Sequence, residues 1–537
     1  FSALFEGVNE GQSDEHLSDT LTTLCVSLGI ENYRVCSGAV ALNIPILAYI
    51  IRKTPEASPN TFCSLILQNA ANPNVCPHQD QRFEWQVELP DKEDMVPVTI
   101  ITDAHVDPLY KAYGVADCDE PTCCRKGQHE TAKSFVYETN SRSMHIRTRN
   151  SAPAGYWGDH RSCDTPLWAY DDAIETIKEN HKDIDLLYYV GDTIDHGIWE
   201  TSYELINNMN RYMIQKIKKT FGDGLTVVPA IGNHEAQPTN QFAPSSITEP
   251  KLNTTWLYKG LAEKWDQYLS EEAKANLIDH GDFSVVVRPG LRVISINNNI
   301  AYRDNWWLVY DPVEPKRHLD WLVQELTKAE LNGEKVHILA HIPPGVHDLI
   351  YTWTREYNRI VNRFSSTIAA EFNGHTHSDE FKIFYNDDDS PINMAWGGGS
   401  ITAYSFYNLN YKIMPENIIN YVYNLTEANL TPNRRPHWFM LYDIKNSFGL
   451  TDLTAKSMNN LVYSMVRNQR SFLDLYNAYY SKLNDERWPS SLQNISNKNM
   501  KNYLHILSLM KLIMSYNFFF INCNVYSIYK IKLECLL

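Results

Sequence analysis

The first part of the chain carries an apolar pattern with helical spacing. Leucines recur there every three or four residues, which predicts one apolar face of a helix: Leu17, Leu21, Leu24 and Leu28. The pattern runs from about residue 14 to residue 76, and Cys25 and Cys36 flank a short turn within it. We therefore expect a small helical, cysteine-bearing domain over residues 1–78.

The pattern then changes twice. Residues 79–97 are charged and marked by prolines, which indicates a linker. Residues 98–450 contain short β-branched runs, each followed by a polar cluster and separated by helix-length segments, which is typical of α/β domains. Five of these runs precede the polar clusters of interest: Val98 to Thr102, Leu186 to Val190, Thr226 to Ile231, Val336 to Ala340 and Glu371 to Asn373.

The last part of the chain divides into two segments. Residues 451–490 show an apolar and aromatic helical pattern that predicts helices packed on the main domain, with Leu461, Met465, Phe472, Leu475 and Tyr479 on it. Residues 491–537 are apolar and rich in asparagine, and their 18 uncharged residues from Leu512 to Tyr529 are long enough to raise a membrane span. The asparagines argue against one, so we expect no transmembrane anchor and assign this tail no role.

The polar residues that follow the five runs form one candidate site. In α/β sheets, ligands bind beyond the carboxyl ends of the strands, so these residues can converge although they are far apart in sequence. They are Asp103, His105, Asp192, His196, Asn233, His234, His341, His375 and His377. Imidazoles and carboxylates suit zinc, iron or manganese, and a pair of divalent ions needs a bridging ligand such as Asp192. Water held between two such ions is the nucleophile of many hydrolases.

Composition narrows the class of partner. The 537 residues are enough for two or three domains, and 43% hydrophobic and 21% charged residues are ordinary for a globular protein. The formal net charge of −16 argues against a nucleic-acid binder and against attraction to anionic membranes. Neutral and zwitterionic substrates remain open.

Cysteines and sequons indicate the compartment. The ten cysteines could be disulfides, metal ligands or unpaired thiols. Four N-x-[ST] sequons favour an oxidising, secretory setting, at Asn253, Asn424, Asn429 and Asn494. We expect a secreted or lysosomal protein, and because no basic segment with an apolar core opens the chain at Phe1, we expect any signal peptide to lie outside this sequence.

Three longer strings point to one family: A-H-I-P-P-G at 340–345, N-G-H-T-H-S-D-E-F at 373–381 and D-C-D-E-P-T-C-C-R at 117–125. In these strings and in the metal motifs, roughly residues 1 to 490 resemble the acid sphingomyelinases, which are calcineurin-like metallophosphoesterases. The resemblance implies an α/β fold: a β-sandwich flanked by helices, with a small all-α saposin-like domain before it and a helical region after it. It also implies two Zn²⁺ ions and hydrolysis of sphingomyelin to ceramide and phosphocholine by a metal-activated water.

The resemblance further implies roles for individual residues. One zinc would lie on Asp103, His105, Asp192 and His377, and the other on Asp192, Asn233, His341 and His375. His196 and His234 match histidines near the scissile phosphate, where one protonates the leaving alkoxide and the other steadies the charged oxygens. Which histidine does which stays open, and His196 could instead orient a metal ligand. Tyr404 matches a tyrosine beside the choline headgroup, whose quaternary ammonium is attracted to aromatic faces; the alternative for Tyr404 is a packing role.

The resemblance implies three disulfides: Cys25 with Cys36, Cys118 with Cys123, and Cys124 with Cys163. The opening C-x-x-C of the saposin-like domain is absent, so Cys63 and Cys76 lack their expected partners. Cys523 and Cys535 fall in the tail and stay unassigned.

The leading hypothesis is therefore a monomeric sphingomyelin phosphodiesterase that acts on sphingomyelin or a related phospholipid at a membrane surface and binds no nucleic acid. A second hypothesis is a phosphodiesterase for nucleotides or other phosphoesters, with the helical domain serving stability. A third is a non-catalytic lipid-binding effector. This last hypothesis is disfavoured because no ligand position has been replaced.

Overall fold

The structure is a computed structural model that describes residues 1–67, 98–129, 152–414, 417–467 and 470–484. The predicted linker 79–97 and the tail 491–537 lie outside the described residues. So do the sequon at Asn494 and three of the cysteines, Cys76, Cys523 and Cys535.

The N-terminal part is helical, as predicted. Its helices are α1 (Ser2–Asn9), α2 (Asp14–Ser27), α3 (Tyr33–Lys53) and α4 (Pro59–Leu67). Both longer helices begin at a capping side chain: Ser13 Oγ accepts from the amide of His16, and Asn32 Oδ1 accepts from the amide of Val35. The disulfide Cys25–Cys36 joins α2 to α3.

The predicted apolar face of α2 is only partly right. Leu17 is buried, but Leu24 is 39% exposed and Leu28 is 59% exposed. The disulfide turns the side of α2 that carries Cys25 toward α3, which rotates Leu24 outward. Leu28 lies beyond the last residue of the helix.

Helix α3 has the length and the apolar composition of a membrane-spanning helix. Many of its apolar side chains are nevertheless buried within the protein, including Val35, Ile44 and Ile50. The helix packs on α9 (Trp307–Tyr310), and the indole of Trp306 donates to Asn43 Oδ1 at 3.1 Å. In this structure α3 therefore serves as a core helix that seats the helical domain on the main domain.

The main domain is built on two six-stranded sheets. The first has the strand order β14-β13-β12-β1-β4-β5, with β1, β4 and β5 parallel. Its strands are β1 (Val98–Ile101), β4 (Leu186–Tyr189), β5 (Thr226–Pro229), β12 (Asn410–Met414), β13 (Ile419–Tyr423) and β14 (Trp438–Asp443). A separate short pair consists of β2 (Val106–Asp107) and β3 (Thr165–Pro166).

The second sheet has the order β10-β11-β9-β8-β7-β6, with β7, β8, β9 and β11 parallel. Its strands are β6 (Phe283–Arg288), β7 (Leu291–Ile296), β8 (Lys335–Ala340), β9 (Ile368–Asn373), β10 (Phe381–Tyr385) and β11 (Pro391–Gly397). The two sheets face each other, since Tyr188 of β4 bonds His337 of β8 at 2.8 Å and packs on Phe372 of β9. The predicted β-sandwich is confirmed.

Helices flank this sandwich. They are α5 (Leu167–Asn180), α6 (Tyr203–Phe221), α7 (Thr255–Lys264), α8 (Glu271–His280), α10 (Glu314–Leu331), α11 (Tyr351–Arg363), α12 (Leu425–Leu430) and α13 (Ile444–Phe448). The C-terminal helices α14 (Ala455–Arg467) and α15 (Arg470–Tyr480) follow, and α14 packs on β10 and β11. Leu461 and Met465 are buried in that contact region, as the apolar pattern predicts.

Candidate active site

The predicted ligands lie at the carboxyl ends of parallel strands from both sheets. Those after β1, β4 and β5 come from the first sheet, and those after β8 and β9 come from the second. The convergence expected from sequence is therefore present, but it joins two facing sheets instead of the ends of one.

The backbone at these positions is unusual. Five of the seven predicted ligands have a positive φ, between 37° and 69°: Asp103, His105, Asp192, His375 and His377. This left-handed conformation is uncommon for residues with a Cβ, although aspartate, asparagine and histidine adopt it more readily than most. Strands β1, β4 and β9 are thus each followed by an abrupt turn that holds donor side chains in place.

Glycines allow the turns to approach one another. A Cβ atom on Gly232 would lie 2.2 Å from Asp192 Oδ1, and one on Gly374 would lie 2.2 Å from Thr102 Oγ1. The glycines of G-N-H-E and N-G-H-T-H are therefore required by close contacts at the site.

The first group of donors is built around His105. Its Nε2 lies 3.0 Å from His377 Nε2 and 3.3 Å from Asp192 Oδ2. Asp103 Oδ1 lies 3.6 Å from His377 Nε2. These are the four residues that the resemblance assigns to one ion.

The second group shares one oxygen atom with the first. Asp192 Oδ2 lies 3.1 Å from His341 Nε2. Asn233 Oδ1 lies 3.1 Å from His341 Nε2 and 2.9 Å from His375 Nδ1. The structure thus brings all seven predicted ligands together, with Asp192 between the two groups.

The histidine tautomers test whether metal ions fit. The Nδ1 atoms of His105, His341 and His377 face the backbone carbonyls of Ile194, Val190 and Tyr404 at 2.5 to 2.7 Å. A carbonyl only accepts, so each Nδ1 carries the hydrogen and each Nε2 lone pair points into the site. The two lone pairs of His105 and His377, 3.0 Å apart, repel each other unless a proton or a metal ion lies between them.

The Asp192 carboxylate also favours positive charge within the cluster. Burial alone would lower the pKa of His105 and His341, yet the Asp192 carboxylate raises the pKa of both to about 9. The same imidazoles hold the pKa of the buried Asp192 carboxyl well below its usual range. The donor set therefore fits metal ions.

Three supporting residues were missed by the sequence reasoning. The Glu235 carboxylate accepts from the amides of Gly232, Asp192 and Thr193 at 2.6 to 3.0 Å and so fixes the turn of Asp192. In the sequence, Glu235 is the glutamate of the G-N-H-E motif, which could have indicated its role. Asp348 Oδ2 lies 3.1 Å from His375 Nε2, which leaves Nδ1 facing Asn233. No local motif marked Asp348.

The third missed residue is Asp164, which orients His196. Asp164 Oδ2 accepts from the amide of His196 and Oδ1 lies at its Nδ1, both at 2.7 Å. Burial lowers the pKa of His196 against the opposing effect of Asp164. Asp164 directly follows Cys163, whose disulfide to Cys124 closes the neighbouring loop.

His196 and His234 both border the cluster of candidate metal ligands. The ring of His196 lies 4.1 Å from that of His105 and 4.7 Å from that of His234, measured between centroids. His234 Nδ1 faces the carbonyl of Asp195 at 3.2 Å, and its amide donates to Asp192 Oδ1 at 2.9 Å.

Tyr404 also lies at the site. Its ring stacks on His196 at 3.9 Å with an interplanar angle of 11°. Its hydroxyl donates to the carbonyl of Pro121 at 3.0 Å, within the loop closed by the disulfide Cys118–Cys123.

The remaining predicted positions lie elsewhere. Cys63, which had no assigned partner, is also disulfide-bonded. Asn253 and Asn424 place their carbonyl oxygens on the amides of Thr255 and Glu427. Asn429 is engaged on both sides of its amide, by the backbone of Trp157 and of Gly158.

Comparisons with known proteins agree with this geometry. The calcineurin-like phosphoesterase family matches residues 96–379. The Bos taurus sphingomyelin phosphodiesterase is 31% identical over 508 residues, covering 89% of this chain and 77% of the relative. The Caenorhabditis elegans sphingomyelin phosphodiesterase 1 is 31% identical over 488 residues, covering 85% and 82%. A Homo sapiens cyclic GMP-AMP phosphodiesterase is 26% identical over 449 residues, covering 78% and 91%.

Proposed function

The chain belongs to the calcineurin-like phosphoesterases and, among them, to the sphingomyelin phosphodiesterase family, and we propose that it hydrolyses sphingomyelin to ceramide and phosphocholine. One observation carries the proposal. Six donor side chains lie around Asp192, whose Oδ2 faces both groups of donors, and a histidine with a carboxylate partner borders them. Similarity to sphingomyelin phosphodiesterases over most of the chain supports the lipid substrate.

The donor set supports two zinc ions, because imidazoles with carboxylate or amide oxygens suit this metal. One would be held by Asp103, His105, Asp192 and His377. The other would be held by Asp192, Asn233, His341 and His375. When bound, such a pair lowers the pKa of a water molecule and neutralises phosphoryl oxygens.

His196 is the proposed proton donor to the departing ceramide oxygen. An alkoxide is a poor leaving group, and a positioned acid typically contributes about 10²- to 10⁴-fold to the rate. Asp164 stabilises the imidazolium form and fixes the ring orientation through Nδ1. His234, which faces the Asp195 carbonyl beside the same cluster, is the proposed contact for the phosphate oxygens.

Tyr404 is the proposed contact for the choline group. One face of its ring is covered by His196. A quaternary ammonium would therefore bind the opposite face, where the ring quadrupole attracts a cation. This arrangement would place the headgroup beside the proton donor.

The proposed setting is secreted or lysosomal. Disulfides such as Cys124–Cys163 form and persist in oxidising compartments, and the sequons agree. We assign the helical domain a saposin-like role in presenting lipid from a membrane surface to a monomeric enzyme.

The test is release of phosphocholine from sphingomyelin by the purified protein. Zinc chelation is expected to abolish release, and added zinc to restore it. Turnover that is insensitive to chelation would refute the two-metal scheme.

A nucleotide phosphodiesterase is the second candidate, favoured by the similarity to a cyclic GMP-AMP phosphodiesterase over 91% of that relative. Cleavage of a cyclic dinucleotide and of sphingomyelin should be compared for the wild type and for Tyr404→Ala. A loss confined to the choline lipid supports the sphingomyelinase. Faster cleavage of the dinucleotide with no effect of Tyr404→Ala supports the alternative.

A further inference from the structure

We propose that Arg34, on helix α3 of the helical domain, is a positioning residue for His196 in the active site of the main domain. The inference rests on the proposed phosphodiesterase function. It adds that the helical domain aligns the proton donor, besides any role in handling lipid. Two chains of contacts lead from the Arg34 guanidinium to His196.

The first chain runs through Glu200. Arg34 Nη2 donates to Glu200 Oε2 at 2.6 Å, and the other oxygen of Glu200 accepts from Arg125 Nη1. Arg125 is buried, and its Nη2 lies 3.2 Å from Asp195 Oδ1. Glu200 is therefore shared between an arginine of the helical domain and a buried arginine of the main domain.

Asp195 connects this chain to both catalytic histidines. It precedes His196 directly, and its carboxylate accepts from the amide of Gly197 at 2.8 Å, so it holds the backbone on both sides of His196. The Asp195 carbonyl faces His234 Nδ1 at 3.2 Å. A shift of Arg125 would therefore move the segment that carries His196.

The second chain runs through the loop closed by Cys118–Cys123. Arg34 Nη1 donates to Glu120 Oε1 at 2.7 Å. The next residue, Pro121, accepts from the Tyr404 hydroxyl at 3.0 Å, and the Tyr404 ring stacks on His196 at 3.9 Å. Both chains from Arg34 thus end at His196, the first at the backbone that flanks it and the second at its ring.

The start of α3 is seated on the segments that form these chains. Val35 and Ala39 form an apolar cluster with Trp199, next to Glu200. A Cβ atom on Gly38 would lie 2.2 Å from the Trp199 carbonyl oxygen. Asn32 Nδ2 donates to the Asp119 carbonyl at 2.7 Å, next to Glu120.

The charges explain why Arg34 affects position more than stability. Its side chain is 46% exposed, and ion pairs of that kind contribute little to folding. Arg125, however, lies among the carboxylates of Asp107, Asp195 and Glu200. Without Arg34, Glu200 loses one of its two arginine partners. Its attraction to Arg125 then changes relative to that of Asp107 and Asp195, and Arg125 shifts.

The test compares Arg34→Ala with Arg52→Ala. Arg52 is on the same helix and is 44% exposed, but its ion pair is to Asp14 within the helical domain. The substrate is glycerophosphocholine, a soluble diester that needs no lipid handling and whose leaving group is an alkoxide, so that its cleavage still requires the proton donor. We expect kcat to fall about three- to tenfold for Arg34→Ala at unchanged KM, as for coupling through a contact network. Arg34→Lys should recover part of the loss, and Arg52→Ala should match the wild type.

Gly38→Ala provides a second, uncharged probe, because it separates α3 from Trp199 at the same seat. It should lower kcat on the soluble diester with no loss of bound metal. Wild-type kcat in both Arg34→Ala and Gly38→Ala, or an effect seen only with sphingomyelin vesicles, would overturn the positioning role. A wild type that cleaves the soluble diester but not sphingomyelin would instead refute the proposed substrate, and the comparison of variants would still stand.

Discussion

The carboxylate of Asp164 binds His196 twice, at the backbone amide and at Nδ1, both at 2.7 Å. One side chain thus sets both the position of the residue and the orientation of its ring. A ring held in this way presents Nε2 in a single direction, which is what transfer of a proton to one oxygen atom requires.

Asp164→Asn tests this relationship. The amide cannot stabilise an imidazolium as a carboxylate does, so kcat for sphingomyelin should fall about 10- to 100-fold. Metal content should equal that of the wild type. Asp282→Asn is the matched control. Asp282 is equally buried and lies 2.6 Å from His318 Nδ1, and neither residue is a proposed metal ligand. Similar losses of kcat in folded samples of both variants would contradict the role of Asp164.

The position of Asp192 between the two donor groups leads to a prediction about the number of metal ions bound. Because Oδ2 faces both donor groups, Asp192→Ala should lower the affinity for both ions. His375→Ala removes a donor from one group only and should lower the metal content by one ion per chain. Elemental analysis after dialysis distinguishes these results. Retention of two ions by Asp192→Ala would exclude it as the bridge.

The buried carboxyl group of Glu371 should make the free energy of unfolding depend on pH. Burial raises the pKa of Glu371 to about 7, despite hydrogen bonds from Tyr357 and Asn373 that oppose the shift. The folded state therefore holds the proton more tightly than the unfolded state. The resulting stability is complete below the unfolded pKa of about 4.5 and is lost as pH rises through about 7.

Glu371→Gln should remove this dependence, because an amide resembles the protonated acid. The difference in unfolding free energy between variant and wild type should change by up to about 3 kcal/mol between pH 4.5 and pH 8. Denaturant unfolding at both values measures it. Parallel pH curves for the two proteins would show that Glu371 titrates normally.

Glycosylation should distinguish two neighbouring sequons. Asn429 donates from Nδ2 to the Gly158 carbonyl, and a Cβ atom on Gly155 would lie 2.1 Å from that nitrogen, so a glycan there would disrupt the packing. Asn424 caps α12 through its carbonyl oxygen alone. We expect glycan on Asn424 and not on Asn429 in folded, secreted protein. Peptide mass spectrometry after enzymatic deglycosylation in heavy-oxygen water reads both sites, and substantial occupancy of Asn429 would contradict the prediction.

The candidate metal ligands could be predicted because each lies within four residues of the end of a strand. The run Val98 to Thr102 matches β1 to within one residue, and Val336 to Ala340 matches β8 equally well. A β-branched run followed at once by Asp or His is a local signal. It needs no knowledge of the partner strand.

The partners of those residues could not be predicted in the same way. Asp348 meets His375 and Asp164 meets His196 only because loops from different parts of the chain are folded together. Nor does a local pattern show that the strands leading to Asn233 and His341 belong to different sheets. The exposure of Leu24 has the same origin, since a disulfide set the rotation of its helix.

The disulfide between Cys124 and Cys163 lies directly beside the residue that orients His196. The residue after Cys163 is the acid that orients His196, so the covalent link that steadies this loop also steadies Asp164. A newly made chain with both thiols reduced lacks that anchor. The proposed proton transfer by His196 is thereby linked to formation of the Cys124–Cys163 disulfide.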